Sequence, residues 1–359
     1  MRFHVVNLPH TQTTKKYSWC AYTEKVRKFC NMMMSLGHEV FLYAGEDNEA
    51  ECTEFISVVS KEEQHEWFGH LNWELDLFPS DGWEIDKPWW RITNSRSIRE
   101  ISKRIEPTDF VCVIMGRCHA QIVDAFPEHV NVEWGIGYEG VYTINRVFES
   151  YAWMHHVYGI MRQSNGSSSD TVIPNFFELE DFALGDGGGD YYLFLGRVVL
   201  RKGPHIAAQI CNEIDAKLIV AGQGGQVMPD GSLLGLDNVV IDGNYEYIGT
   251  VGPEQRNEVL GKAKAIFVPT IYIEPFGGVA VEAMLCGTPV ICTDWGAFTE
   301  TVIDEVTGFR CHTMEEFREA ALLAPNLDRE KIREYAKKFS TDNVRWQYEK
   351  YFNRIMLRS

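Results

Sequence analysis

The sequence has no apolar run long enough to cross a bilayer, so no transmembrane helix is expected. It has no Cys-x-x-Cys pair. Its nine cysteines, an odd number and scattered, argue for reduced thiols over a disulfide frame or a zinc site. It is also short of positive charge: 34 lysines and arginines stand against 51 aspartates and glutamates. The net charge of −17 works against broad nucleic-acid binding through phosphate neutralisation and leaves only a local basic patch for that purpose. No Asp-x-Asp stands in a context that asks for a divalent metal. Arg2-Phe3-His4-Val5-Val6 opens as a strand and not as a signal peptide, and a cytoplasmic location is the expectation.

What is present suits a soluble α/β protein. At 359 residues, 45% apolar and 24% charged, the chain suits two domains, each with a substantial core. Phe3 to Leu8 reads as a strand and Pro9 to Lys16 as a polar loop. From Tyr22, the apolar positions Val26, Phe29, Cys30, Met33 and Leu36 recur at helical spacing; Gly37 stops the helix and Glu39 to Tyr43 returns as a strand. Glu46 to Asp86 is acidic and tryptophan-rich with no clean period. Eight of the ten tryptophans precede residue 160, an aromatic load that can stack on sugars or bases, although core packing is the default for such rings.

Ile98, Ile101 and Ile105 mark the apolar face of a helix whose other face carries Arg96, Arg99 and Lys103. Such a face suits an anionic membrane or a phosphorylated acceptor, or is simply solvated. Asp109 to Met115 reads as a buried strand with Gly116 to His119 at its carboxyl end, where α/β sheets place ligands. Val130 to Gly140 reads as a strand running into glycine turns.

The most informative stretch is Thr270 to Gly308. A short apolar strand, Ala265 to Val268, leads through a loop to Gly277 and Gly278, and Val279 to Leu285 then form a helix that Gly287 stops. The first amides of a helix lack internal partners, and glycine lets an anion reach them, so a phosphate is the natural guest. Glu282 lies one turn in and leans back toward that mouth, while Glu274 approaches from the loop. Two carboxylates beside an anion site make sense as acceptors for hydroxyls on whatever the phosphate carries, and sugars supply hydroxyls. The same pattern also fits an ordinary strand-to-helix turn with solvated acids.

Glu274 and Glu282 with the following EAMLCGTPVICTDWGAFTETVIDEVTGF resemble the C-terminal signature of the retaining glycosyltransferases of family 4, of GT-B fold. The spacing from Gly196-Arg197 to Lys202-Gly203 is similar to that family's diphosphate-binding pair, Val172-Ile173-Pro174-Asn175 to its entry into the second domain, and Tyr247 to Gly252 to its nucleotide-base border. The resemblance implies two Rossmann-like domains facing each other across a donor cleft: 1–172, and 173–342 with Gly185 to Asp190 as a flexible joint. It also implies that the helix within 343–359, carrying Trp346, Tyr348, Phe352 and Ile355, packs back on the first domain. It departs from the family in the first loop, where HTQTTKKYSW replaces a Gly-Gly turn and offers Lys15 and Lys16, and at Trp134 and Gly135, where members carry a histidine. His119, Glu133 and Glu139 are the substitutes to test. The run RVFESYAWMHHVYG is similar to glycosyltransferases encoded by phages.

The activity implied is transfer of a sugar from a nucleoside diphosphate sugar, UDP- or GDP-type, to an acceptor hydroxyl, with retention and without metal or other cofactor. Arg197, Lys202 and the amides of Phe276 to Gly278 would stabilise the charge growing on the leaving oxygen. Glu274 would hold the donor sugar, Glu282 the ribose, and Gly196, Val251 and Val279 would complete the donor site, with His119 as the N-terminal candidate. The acceptor stays open among a saccharide, a lipid-linked saccharide met at a membrane surface, and a hydroxylated modified base in DNA. A nucleotide-sugar epimerase and a catalytically idle nucleotide-sugar binding protein are the other readings.

Overall fold

The computed structural model describes residues 1–69, 72 and 83–357. The tryptophan-rich segment therefore falls partly outside the described residues. Seven strands form the first sheet: β1 (Arg2–Val6), β2 (Glu39–Gly45), β3 (Glu54–Val59), β4 (Phe110–Val113), β5 (Val130–Ile136), β6 (Asn145–Phe148) and β7 (Asp170–Val172). Their order is β3-β2-β1-β4-β5-β6-β7 and every pair is parallel. Parallel sheets are covered on both faces, which is why β4 (FVCV) is a continuous apolar run and why even His4 of β1 is buried.

The second half holds β8 (Tyr192–Leu195), β9 (Leu218–Ala221), the short β10 (Gln226–Val227), β11 (Leu233–Leu234) and β12 (Val240–Ile241), then β13 (Tyr245–Gly249), β14 (Ile266–Val268), β15 (Val290–Thr293) and β16 (Gly308–Cys311). The short three make an antiparallel sheet. The other six form a parallel sheet in the order β13-β9-β8-β14-β15-β16. In each parallel sheet the order reverses once, between β1 and β4 and between β8 and β14. Ligands of open α/β sheets bind beyond the carboxyl ends of the strands at such a reversal. Arg197 follows β8 and the glycine turn follows β14, so both stand at that point of the second sheet.

The chain crosses between the halves twice, side by side. Ile173 and Phe176 are buried in the first core and Phe177 in the second; Phe339 lies in the second and Val344 in the first. The two crossings are tied by Phe177 N–H to Phe339 O at 3.0 Å and Thr341 N–H to Phe177 O at 2.9 Å. Gly185 to Asp190 is not the joint. Its amides at 185, 187 and 189 donate to Cys286, Gly261 and Lys262, and Arg329 holds the Gly185 carbonyl, all within the second half.

The last helix, Thr341–Met356, places Tyr348, Phe352 and Ile355 in the first core against Phe3, Phe29 and Phe110. Trp346 faces solvent at 55% exposure, since it falls off the stripe that those three residues share. Arg96, Arg99 and Lys103 on and just after the helix Pro88–Ile101 are matched by carboxylates: Arg96 to Glu63 at 2.6 Å, Lys103 to Glu100 at 2.7 Å and Arg99 to Glu100 at 3.2 Å. Glu63 is held down to about 2 by its hydrogen bonds from Arg96. This face is largely neutralised within the protein.

Candidate active site

Two loops of the second half are clamped together by backbone. Gly203 has φ +73°, and a side chain there would strike the Pro269 carbonyl, so only glycine allows the loop after β8 to lie against the end of β14. Ile271 N–H then donates to Arg201 O at 2.8 Å. This juxtaposition delivers Lys202 to the glycine-turn loop.

Lys202 Nζ lies 2.7 Å from Glu274 Oε2, and the Tyr272 hydroxyl donates to the same oxygen at 2.7 Å. Burial, then the neighbouring Glu274, push the Tyr272 phenol far up, so it stays protonated and serves as a donor. Lys202 Nζ and Arg201 Cζ lie 5.0 and 5.1 Å from the Tyr272 ring centroid. Arg197 is exposed and, among the described residues, its guanidinium has no hydrogen bond or ion pair. It is near enough to Tyr272 and Tyr22 for its charge to favour ionisation of both phenols. An exposed guanidinium beside a preorganised Lys-Glu-Tyr group is a composition that suits an anion.

The glycine turn is held from below. Phe276 is buried against Phe177 and Phe339, and Gly277, at φ +75°, caps the helix Gly278–Leu285. A side chain on Gly277 would run into the Phe298 ring. The amides of Phe276 to Gly278 thus open a helix at the sheet reversal, next to Arg197 and Lys202 in the topology. Glu282 pairs with Arg256 of the helix Pro253–Lys262 at 3.4 Å through one oxygen and is partly exposed. Val279 is half-buried at the mouth and Gly196 ends β8 with φ +155°. Val251 has its side chain in the core, 3% exposed, so any contact with a base would involve its backbone or what remains of its edge.

The N-terminal candidates fare differently. His119 follows β4 as expected, but it is fully buried, with Nδ1 2.8 Å from Asn94 Oδ1 and its ring against Trp90. Burial pulls it down to about 3, and it does not reach the cleft. Glu133 is equally buried, accepting from Tyr138 and from the amides of Tyr142 and Thr143, and so holds the loop after β5. Glu139 is exposed and 3.5 Å from His156. Trp134 stacks on Phe29 at 4.2 Å inside the core. Lys15 and Lys16 are exposed in a short helical turn, and the Lys15 amide donates to Glu49.

Reading the sequence missed four residues that share this region: Tyr272, Arg201, Tyr22 and Glu149. The i, i+2 spacing of Tyr272 and Glu274 was a signal for the first. Tyr22 donates to Gly137 O at 3.3 Å and feels Glu149, Arg197 and Glu274, which places it at the seam between the halves. Ser150 Oγ donates to Pro275 O at 2.6 Å, and Glu300 accepts from the amides of Tyr151 and Ala152 at 2.9 and 2.7 Å. A carboxylate of one half therefore caps a helix of the other.

Residues 177–339 match the family Glycosyl transferases group 1. The chain is 30% identical over 185 residues to an uncharacterized glycosyltransferase of Methanocaldococcus jannaschii, covering 47% of this chain and 51% of the relative. It is 32% identical over 148 residues to a D-inositol 3-phosphate glycosyltransferase of Mycobacterium sp., covering 40% of this chain and 34% of that one. The chain thus spans about half or less of the length of the curated relatives it matches. Among solved structures, AviGT4, a glycosyltransferase involved in avilamycin A biosynthesis, aligns over 100% of this chain and 99% of its own with TM-score 0.66 and 18% identity. Sucrose-phosphate synthase from Thermosynechococcus elongatus aligns over 100% of both chains with TM-score 0.67 and 15% identity. HepE of Anabaena, in complex with UDP-glucose, aligns over 99% of this chain and 100% of its own with TM-score 0.63 and 13% identity. The fold is GT-B.

Proposed function

We propose that the protein is a glycosyltransferase that moves a sugar from a nucleoside diphosphate sugar to an acceptor hydroxyl, with retention of configuration and without a metal ion. The observation that carries this reading is the convergence of Lys202, Glu274 and Tyr272, with unpaired Arg197 beside them, at the strand-order reversal where the glycine turn opens a helix. The family match over residues 177–339 supports it, as do the relatives named for glycosyl transfer.

Breaking the bond between the anomeric carbon and the diphosphate puts negative charge on the leaving oxygen. Lys202, held by Glu274, and the amides of Phe276 to Gly278 are donors oriented before reaction, and the exposed Arg197 adds a second cation to that charge. Two cations and a helix N-terminus can balance a diphosphate alone, which is the ground for proposing metal independence. Glu274, already oriented by Lys202 and Tyr272, would accept from sugar hydroxyls, and the free oxygen of Glu282 from the ribose. Same-face attack, with the leaving phosphate taking the acceptor proton, would give retention.

Uridine nucleotides come first for testing, because HepE was solved with UDP-glucose. A thermal-shift panel of nucleoside diphosphate sugars, followed by turnover with the best stabiliser, tests the proposal. A saturating donor is expected to raise stability by a few kcal/mol. No stabilisation by any member of the panel would refute it.

A further inference from the structure

Each half brings a lysine, a glutamate and a tyrosine to the seam. On the C-terminal side these are Lys202, Glu274 and Tyr272. On the N-terminal side, Lys25 Nζ lies 2.5 Å from Glu149 Oε1 and 4.7 Å from the Tyr22 ring centroid. The Lys25 and Glu149 side chains are 7% and 4% exposed. Lys25 comes from the helix Ala21–Ser35, and Glu149 directly follows β6.

The two groups are neighbours. Glu149 precedes Ser150, which donates to Pro275 O, and Pro275 follows Glu274. A side chain built on Gly137 would collide with the Glu149 carboxylate and stand 3.2 Å from Pro275 Cβ, so Glu149 and Pro275 both pack against Gly137 at the seam. The charge of Glu274 is felt at Glu149, and both are felt at the Tyr22 hydroxyl, as is Arg197. A buried ion pair is often no more stabilising than apolar side chains of the same volume. Its value here lies in what it places at the seam.

We propose that Glu149, held by Lys25, is the N-terminal half's contact to the transferred sugar. A ring hydrogen-bonded to Glu274 would present a hydroxyl at its other edge to Glu149, which accepts it, while Lys25 holds the carboxylate in place and the Tyr22 ring flanks Lys25. The inference rests on the glycosyltransferase reading above and adds the residue that selects the sugar. The ligand class is a hexose carrying hydroxyls at opposite edges of the ring. A deoxysugar lacking one of them would be discriminated against, because the buried carboxylate would be left without its donor.

The test is calorimetric titration of the whole chain with UDP, GDP and ADP, and with the glucose, galactose, mannose and N-acetylglucosamine derivatives of each. Wild type is compared with Glu149→Gln and with the double variant Lys25→Met, Glu149→Met, which removes both charges together and leaves neither buried alone. Both variants are expected to bind the bare nucleotide as wild type does and to lose about tenfold or more in affinity for the sugar nucleotide. A merely structural role would not separate the two ligands. Unchanged sugar-nucleotide affinity, or an equal loss for both ligands, overturns the inference and leaves the glycosyltransferase reading standing. Wild type that binds none of these nucleotides overturns that reading and the inference with it.

Discussion

Lys202 Nζ and Glu274 Oε2 meet at 2.7 Å across 72 positions of sequence. The contact joins the loop after β8 to the loop after β14, so the cation proposed to meet a diphosphate and the carboxylate proposed to meet a sugar orient each other. Removing the cation takes away one well-aimed stabiliser and loosens Glu274. Lys202→Ala is expected to lower turnover of the cognate donor by about a hundredfold with the fold retained. Steady-state kinetics and circular dichroism check this, and near wild-type turnover would remove the assigned role.

Gly277 sets the direction of the helix Gly278–Leu285. At φ +75° a side chain costs about 1 kcal/mol or more of backbone strain, and here it would also push Phe298. Gly277→Ala is therefore expected to lower the melting temperature and to weaken nucleotide binding more than a matched change at the exposed Gly231, where nothing obstructs a side chain. Thermal melts and nucleotide titration in parallel measure both effects.

Glu300 caps the amides of Tyr151 and Ala152 from the opposite half. Losing a cap of this kind costs about 1 kcal/mol of stability. Glu300→Ala is expected to lower the melting temperature by a few degrees, and a melt identical to wild type would contradict a cap at this contact.

His119 gives a pH signature. Its value in the fold, about 3, lies below the ordinary 6.5, so between these values the unfolded chain holds a proton that the native protein does not. Stability from this residue is complete above 6.5 and falls as pH drops toward about 3, by at most about 1.4 kcal/mol per pH unit. His119→Gln should flatten the fall in melting temperature across that range. It should leave turnover near wild type once the fold is intact, since the ring sits on Asn94 and Trp90 and not in the cleft. A large loss of turnover in a folded variant would return His119 to the site.

β1, β2, β4, β5, β14 and the glycine turn were legible because period and punctuation carry them: the helical spacing of Val26, Phe29, Cys30 and Met33, the stop at Gly37, and the strand-glycine-helix run after Ala265; β3, inside the acidic run without a period, and β6 were not. Lys202 and Glu274 were legible as a pair only through resemblance, since neither periodicity nor spacing links positions so far apart. Lys25 and Glu149 were not legible. A lysine inside an amphipathic helix reads as solvated, but here Glu149, the Tyr22 ring and the Gly135 carbonyl lie around it. The joint was misplaced for a related reason: glycines at 185 to 189 signal freedom, but Arg329 and the chain near Gly261 remove it.

The most direct test of the account is a crystal structure with the donor that the nucleotide panel identifies. The account predicts the diphosphate within hydrogen-bond distance of the amides at Phe276 to Gly278 and of Arg197 and Lys202, with the sugar on Glu274. A diphosphate bound elsewhere, with those four elements untouched, would contradict it.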